Sequence, residues 1–251
     1  MIVTARAARL VERNVLVYRH TWIILFTGFF EPVFYLFSIG IGIGKLVGTV
    51  EGVPYRAFVA PALMASSAMN GATLESTMNI FHELKYAKIY DAVLATPVDV
   101  GDVAFGEIAW CLIRGALYGT AFMIVMTVMG LVDSPWGVLA LPAAVLIGFA
   151  FAACGMAATT YVRSWADFEI IQLILVPLFL FSATFFPLST YTPAVQVIVQ
   201  CTPLYHGVAL IRSLTTGAVS IGLLWHVAYL LVMGLIGLFI TSRRLARLLL
   251  Q

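Results

Sequence analysis

Charged residues are scarce in this 251-residue chain, at 10% of the sequence, while hydrophobic types make up 62%. A soluble domain is about 25% charged, so too few charges remain here to cover a water-facing surface. This composition excludes an intrinsically disordered chain, a coiled coil and a nucleic-acid-binding domain. The net charge of +2 is also too small for a protein that binds polyanions. The chain is therefore predicted to lie in a bilayer.

Residues suited to covalent or metal chemistry are also few. The three cysteines, Cys111, Cys154 and Cys201, are odd in number and far apart, which argues against a disulfide framework and a zinc site. The four histidines are scattered, and the sequence contains no HExxH, GxSxG or GxxxxGK[ST] motif. We therefore expect no catalytic site, no metal and no bound cofactor, so another chain must hydrolyse any ATP that is used.

Long runs without charge define the membrane spans. A helix needs about 20 apolar residues to cross, and a charge at the bilayer centre costs about 2.5–3.5 kcal/mol. The sequence predicts a single all-α domain over residues 1–251 with six transmembrane helices, near residues 22–43, 57–80, 104–131, 136–161, 170–188 and 223–242. The second span is rich in small and polar residues, which suit a helix packed among other helices. Four arginines precede the first span, and the apolar stretch after them is long and lacks an AxA-like cleavage site. These features favour a retained span over a removed signal peptide.

Basic residues in the loops predict the orientation. Ten lie on the side that holds both termini: Arg6, Arg9, Arg13, Arg19, Lys85, Lys88, Arg163, Arg243, Arg244 and Arg247. Three lie on the other side: Lys45, Arg56 and Arg212. Because basic residues are retained on the cytoplasmic side, both termini are predicted to be cytoplasmic.

The N-terminal segment 1–20 is amphipathic. At 100° per residue, one face carries Arg6, Arg9 and Arg13, and the opposite face carries Ala7, Val11, Val15 and Tyr18. This pattern predicts a helix that lies in the membrane interface and contacts anionic headgroups. Two roles are open: charge that only sets the topology, or a helix that transmits the motion of a partner.

The cytoplasmic stretch 81–103 mixes aromatic and charged residues. Thr96-Pro97 should end one helix, because proline pushes the preceding residue out of the helical region. Asp99 or Asp102 can then cap the next helix. We expect a short coupling helix that docks in a groove of a soluble partner, and a solvated loop with a helical turn is the alternative.

Four ionisable residues fall at or near membrane depth: Glu31, Glu75, Glu107 and Arg114. Such residues are candidates for function. Glu107 and Arg114 are seven apart and share a helix face, so both are expected to reach a neighbouring helix. A structural pair or snorkelling groups are favoured over a proton relay, and Glu31-Pro32 is expected to mark a kink.

The external stretch 189–222 holds one basic and no acidic residue, and prolines break it into pieces too short to cross. It is predicted to form a re-entrant helical hairpin between the fifth and sixth spans. Methionines and aromatics of the first two spans either line an apolar substrate path or face lipid. These are Phe29, Phe30, Phe34, Tyr35, Phe37, Met64, Met69 and Met78.

Three segments together resemble a known family. They read FVAPALMASSAMNGATLE at 58–75, YDAVLATPVDVGDVAFGEIAW at 90–110 and FSATFFPLSTYTPAVQVIVQCTPLYHGVALIR at 181–212. These segments are similar to permeases of the type-2 ABC exporter family, and within it to the branch of the nodulation-factor (lipo-oligosaccharide) exporter permease. The resemblance covers essentially the whole chain.

The resemblance implies a six-span half-transporter in a bacterial inner membrane, paired with an identical or homologous permease and two ABC ATPase subunits that bind ATP and Mg. Its ATPase contact would fall on Tyr86, Lys88, Tyr90, Asp91, Leu94, Thr96 and Pro97. Its external gate would include Phe185, Phe186, Pro187, Pro203 and Tyr205. Glu83 departs from the pattern, since a basic residue is expected there in this branch.

The function predicted on this basis is export of an amphiphilic or hydrophobic cargo, either a lipo-oligosaccharide, a lipid-linked glycan or a drug. The main alternative is a secondary carrier or channel that works without ATP. Paired broken helices in the two halves would favour it, but only Glu31-Pro32 offers such a break. A membrane enzyme would need polar residues clustered at one depth, which the scattered histidines argue against.

Overall fold

The computed structural model describes residues 2–19, 30 and 33–249. Its α-helices are α1 (Ile2–Tyr18), α2 (Gly44–Val47), α3 (Tyr55–Leu74), α4 (Ile80–Lys85), α5 (Ile89–Leu94), α6 (Val100–Val128), α7 (Ala140–Thr159), α8 (Phe168–Leu180), α9 (Pro193–Gln200), α10 (Pro203–Thr216) and α11 (Leu223–Leu249). The segments Leu36–Ile43 and Glu75–Asn79 are π-helical. Short 3-10 turns lie at Pro135–Leu139, Trp165–Asp167 and Leu188–Thr190. Strands β1 (Thr49–Val50) and β2 (Val53–Pro54) form one small antiparallel hairpin.

Three helices in the described part of the chain are long and apolar enough to cross a membrane. They are Val100–Val128, Pro135–Thr159 and Leu223–Leu249. The pair α9 and α10 is also apolar but bends by 86°, as in a broken span or a re-entrant loop, and it raises the number to four if it counts as one span. The predicted class, an all-α membrane protein, is confirmed.

Helix α3 lies at the centre of the packing, against α6, α7 and α10. Nearly all of its residues are buried, and many are alanine, serine or glycine. In a bilayer, lipid removes the hydrophobic driving force between helices, and helices associate through packing. Small side chains favour this packing because they let the helix backbones approach closely. The expectation that this segment is surrounded by other helices is confirmed.

The predicted fifth span, 170–188, is wrong in its length. Helix α8 has 13 residues, which gives about 20 Å and does not cover a hydrocarbon core of about 30 Å. Pro177 removes one backbone donor from its last turns. The Ser182 hydroxyl then donates to the Phe179 carbonyl at 3.2 Å and lies 2.8 Å from the Thr184 hydroxyl. Side-chain bonds of this kind replace the helical ladder, so the chain turns.

Residues 22–29 of the first predicted span, 22–43, lie outside the described residues, and so does Glu31-Pro32. Its described end is the π-helix Leu36–Ile43, which continues into α2. The β1–β2 hairpin that follows is an element the sequence analysis did not anticipate. Gly48 and Gly52 have φ angles of 74° and 82°, which glycine adopts without the strain of a side chain.

The 81–103 segment contains the short helix α5 between two turns. Lys88 precedes it in a left-handed conformation with φ of 48°. Helix α6 begins after a capping box: the Asp99 carboxylate caps the first turn, and the Asp102 carboxylate accepts from the Asp99 backbone N–H at 3.1 Å. The predicted cap is confirmed, and both aspartates contribute to it.

Candidate functional site

Helix α1 contacts α6 through a buried face of Ala7, Leu10 and Asn14. This face differs from the predicted one, because Val15 is 49% exposed. A methyl group on Gly106 would meet Leu10 at 2.8 Å, so the glycine allows the close approach of the two helices. The N-terminal helix is therefore packed onto the helical bundle along the face that carries Ala7, Leu10 and Asn14.

Arg13 joins three helices at one point, which we call the Arg13 cluster (Arg13, Asn14, Glu83, Tyr90 and Glu107). Its Nη2 atom donates to both carboxylate oxygens of Glu83, at 3.0 and 3.1 Å, and to Oε1 of Glu107 at 3.2 Å. Asn14 donates to Oε2 of Glu107 at 2.9 Å. Two carboxylates thus share one guanidinium, and each depends on it for neutralisation.

Tyr90 connects this cluster to the short helix α5. Its hydroxyl donates to Oε2 of Glu83 at 2.9 Å, and its side chain is only 1% exposed. Burial, together with the Glu107 and Glu83 carboxylates, raises the pKa of the Tyr90 phenol well above its usual range. The phenol therefore stays neutral and remains a hydrogen-bond donor to Glu83 at physiological pH.

A second polar group, the Arg114 cluster (Tyr18, Glu75, Trp110, Arg114 and Tyr118), lies farther along the same helices. Glu75 pairs with Arg114 and accepts hydrogen bonds from Trp110 at 3.0 Å and from Tyr18 at 3.1 Å. Arg114 also donates to the Tyr18 and Tyr118 hydroxyls, at 3.1 and 2.8 Å. Burial, with the neighbouring Glu75 carboxylate, raises the pKa of Tyr18. Glu75 begins the π turn, so this cluster ties α1 to the point where the helix widens.

The two clusters show where several residues singled out from the sequence lie. Glu107 and Arg114 both reach α1, as their spacing predicts. Arg13, expected to face headgroups, instead points into the protein. Arg9 pairs with Glu12 at 2.8 Å on the exposed side, and Arg6 is exposed.

The residues predicted to contact an ATPase divide into two groups. Tyr86, Lys88, Asp91, Thr96 and Pro97 are exposed, whereas Leu94 is half-buried and Tyr90 is buried. The buried Tyr90 side chain therefore attaches α5 to the rest of the protein and is not available for contact with a partner. Trp165, which the sequence analysis missed, stacks on Tyr86 with ring centroids 5.8 Å apart.

The residues predicted for the external gate lie at two places. Phe185 packs edge-to-face on Phe179 at 5.2 Å, and its carbonyl accepts from the Tyr55 hydroxyl at 3.4 Å. Phe186 is exposed and Pro187 precedes the 3-10 turn. Pro203 opens α10, and Tyr205 lies beside His206 and His226.

Arg212 stabilises the chain segment before Phe185, and the sequence pattern did not single it out as a site residue. It donates to the Ala183 carbonyl at 2.8 Å and to the Phe58 carbonyl at 3.2 Å. Its guanidinium lies 3.8 Å from the centre of the Phe58 ring. The corner after α8 is thus tied to both α3 and α10.

A cleft of about 310 Å³ opens between the described end of the first predicted span, α3 and α8. Tyr35, Leu63 and Phe179 give it apolar walls, and Asn70 and Gln172 add uncharged amides. Of the predicted path residues in the described part of the chain, Tyr35 lines this cleft, Met64 and Met69 are buried, and Phe30, Phe34, Phe37 and Met78 are exposed. Phe29 lies outside the described residues.

Known proteins resemble this chain over most of its length. Residues 7–216 match the ABC-2 type transporter family. Nodulation protein J of Sinorhizobium fredii is 35% identical over 88% of this chain and 85% of its own. The proteins of the same name from Rhizobium leguminosarum bv. trifolii and Rhizobium meliloti are 34% and 31% identical, over 88% and 86% of this chain and 85% and 83% of their own. With its membrane-spanning helices and the extent of these matches, the chain belongs to the ABC-2 type transporter family, as a membrane-embedded transport subunit.

Proposed function

We propose that this chain is the permease of an ATP-driven exporter in a bacterial inner membrane, with both termini in the cytoplasm and six membrane-embedded segments, the fifth of which is the short helix α8. Two ABC ATPase subunits bind ATP and Mg, and a second permease, identical or homologous, completes the complex. The family membership supports this assignment. The chain itself catalyses no covalent step.

The Arg13 cluster is the observation that carries the mechanism. Helix α5 is tied through Tyr90 and Glu83 to α1, and through Arg13 to Glu107 on α6. A partner that displaces α5 would thus move the N-terminal helix and the third predicted span together. Energy reaches the permease as the difference in ATPase affinity for its two conformations.

The cargo is proposed to be an amphiphilic or hydrophobic molecule, such as a lipo-oligosaccharide, a lipid-linked glycan or a drug. The lining of the cleft supports this, because Asn70 and Gln172 offer amide donors and acceptors without charge beside apolar walls. Hydroxyl and amide groups of a glycan would match them, and an acyl chain would match Leu63 and Phe179.

Coupling is tested at Asp91, an exposed residue of α5. Asp91→Asn should lower cargo-stimulated ATP hydrolysis about three- to fivefold, since an exposed ion pair contributes up to about 1 kcal/mol. Asp91→Glu should retain coupling, and Asp133→Asn, an exposed aspartate outside this segment, serves as the matched control. Equal coupling in all variants would count against docking of the ATPase on α5, whereas a purified chain that transports without nucleotide or ATPase would favour the carrier alternative.

Orientation is tested with the exposed Cys201. A membrane-impermeant maleimide should label Cys201 in intact cells, because the proposed topology places it outside. A Lys88→Cys variant that also carries Cys201→Ser should be labelled only after the membrane is permeabilised. Labelling of position 88 in intact cells would invert the topology.

A further inference from the structure

A groove of about 290 Å³ lies where the first span approaches the start of α3. Its walls include Gly40, Gly44, Lys45, Tyr55 and Arg56. A methyl group on Gly40 would lie 3.4 Å from the Arg56 Cβ, so the glycine lets the Arg56 backbone approach without filling the groove.

Two cations, Lys45 and Arg56, face this groove. Lys45 and Arg56 are both exposed, and neither takes part in the ion pairs found among the described residues. The Tyr55 hydroxyl already donates to the Phe185 carbonyl. Glu51, on the adjacent hairpin, is an acidic neighbour in sequence, but it forms no ion pair with either cation.

The groove and the coupling helix lie at opposite ends of the molecule. Helix α3, the π turn and α4 follow each other without a break from Tyr55 to Lys85, a run of about 46 Å at 1.5 Å per residue. This exceeds a hydrocarbon core of about 30 Å. With α5 in the cytoplasm, which rests on the proposed function, the groove faces the outer leaflet. Two of the three basic residues predicted on that side therefore line one groove.

We propose that this groove binds the phosphate of an anionic phospholipid in the outer leaflet of the inner membrane. The Lys45 ammonium and the Arg56 guanidinium supply charge-assisted hydrogen bonds to the phosphate oxygens. Leu46 and Val47 are 88% and 47% exposed beside Lys45 and give apolar contact for the acyl chains. The site thus pairs a charged end with an apolar end, as the lipid does.

The test uses the full-length chain in nanodiscs with a fluorophore next to the groove. Thr49→Cys, at an exposed residue beside the groove, carries the fluorophore on a Cys201→Ser background. Phosphatidylglycerol or phosphatidylcholine with brominated acyl chains is the quencher. Brominated phosphatidylglycerol should quench more strongly at equal mole fraction. Because each basic residue near an anionic surface favours binding about fivefold, Lys45→Gln with Arg56→Gln should weaken the preference about 25-fold.

A charge-matched control is Arg163→Gln with Arg247→Gln, two exposed arginines far along the chain from the groove. It should keep the preference, and excess soluble glycerol phosphate should not compete. Equal quenching by both lipids, an equal loss in the control, or full competition by glycerol phosphate would overturn the lipid site. Co-purification of the ATPase with the unsubstituted chain is read from the same preparation, so failure of the proposed function is seen separately.

Discussion

Arg13→Gln is expected to destabilise the chain by about 3–5 kcal/mol, because it leaves two carboxylates without their shared cation. Glu107 is almost fully buried and Glu83 is at the border of burial. Among the described residues, the loss of Arg13 leaves Glu107 with the Asn14 amide and Glu83 with the Tyr90 hydroxyl. The measurement is the free energy of unfolding in mixed micelles, together with cargo-stimulated ATP hydrolysis, which should be lost.

Arg9→Gln is the matched control for this variant. Arg9 lies on the same helix, but its pair with Glu12 is exposed, so its loss should cost less than about 1 kcal/mol. Adding Glu83→Gln to Arg13→Gln should recover part of the stability, since one unpaired charge is removed. Equal stability of the Arg9 and Arg13 variants would show that the cluster contributes nothing.

Arg114→Gln and Glu75→Gln are each expected to cost about 3–5 kcal/mol, for the same reason of an unpaired charge in a buried site. The double variant should cost less than the sum by at least about 2 kcal/mol, because contacting residues couple. Tyr118→Phe removes one hydrogen bond to Arg114 and should cost about 1 kcal/mol. Additive losses in the double-mutant cycle would contradict a direct Glu75–Arg114 pair.

The sequence was informative where one local pattern decides the structure. Long runs without charged residues indicated where the three apolar helices lie. The small residues of α3 indicated that it packs among other helices. The seven-residue spacing of Glu107 and Arg114 put both on the face that meets α1. The Asp99 cap followed from the Thr96-Pro97 break.

Features that depend on tertiary contacts were not predicted. Nothing local to Glu83 shows that Arg13, 70 positions away, neutralises it. The end of α8 depends on bonds made by Ser182 after the helix, although Pro177 was a signal. Asn70 and Gln172 were visible as amides in apolar stretches, but only the packing of α3 beside α8 brings them into one cleft.

The π turn explains why the two clusters fall on one line. Glu75 and Glu83 are eight residues apart, which in a regular α-helix would place them about 80° apart around the axis. A π turn takes up one additional residue, so the effective spacing becomes seven and the angle falls to about 20°. This matches the seven-residue interval of Glu107 and Arg114, and the two carboxylates on one helix align with two anchoring points on the next. A single-residue deletion within Glu75–Asn79 that restored regular α-helical winding would thus preserve this alignment, whereas a deletion elsewhere between the two glutamates would shift it.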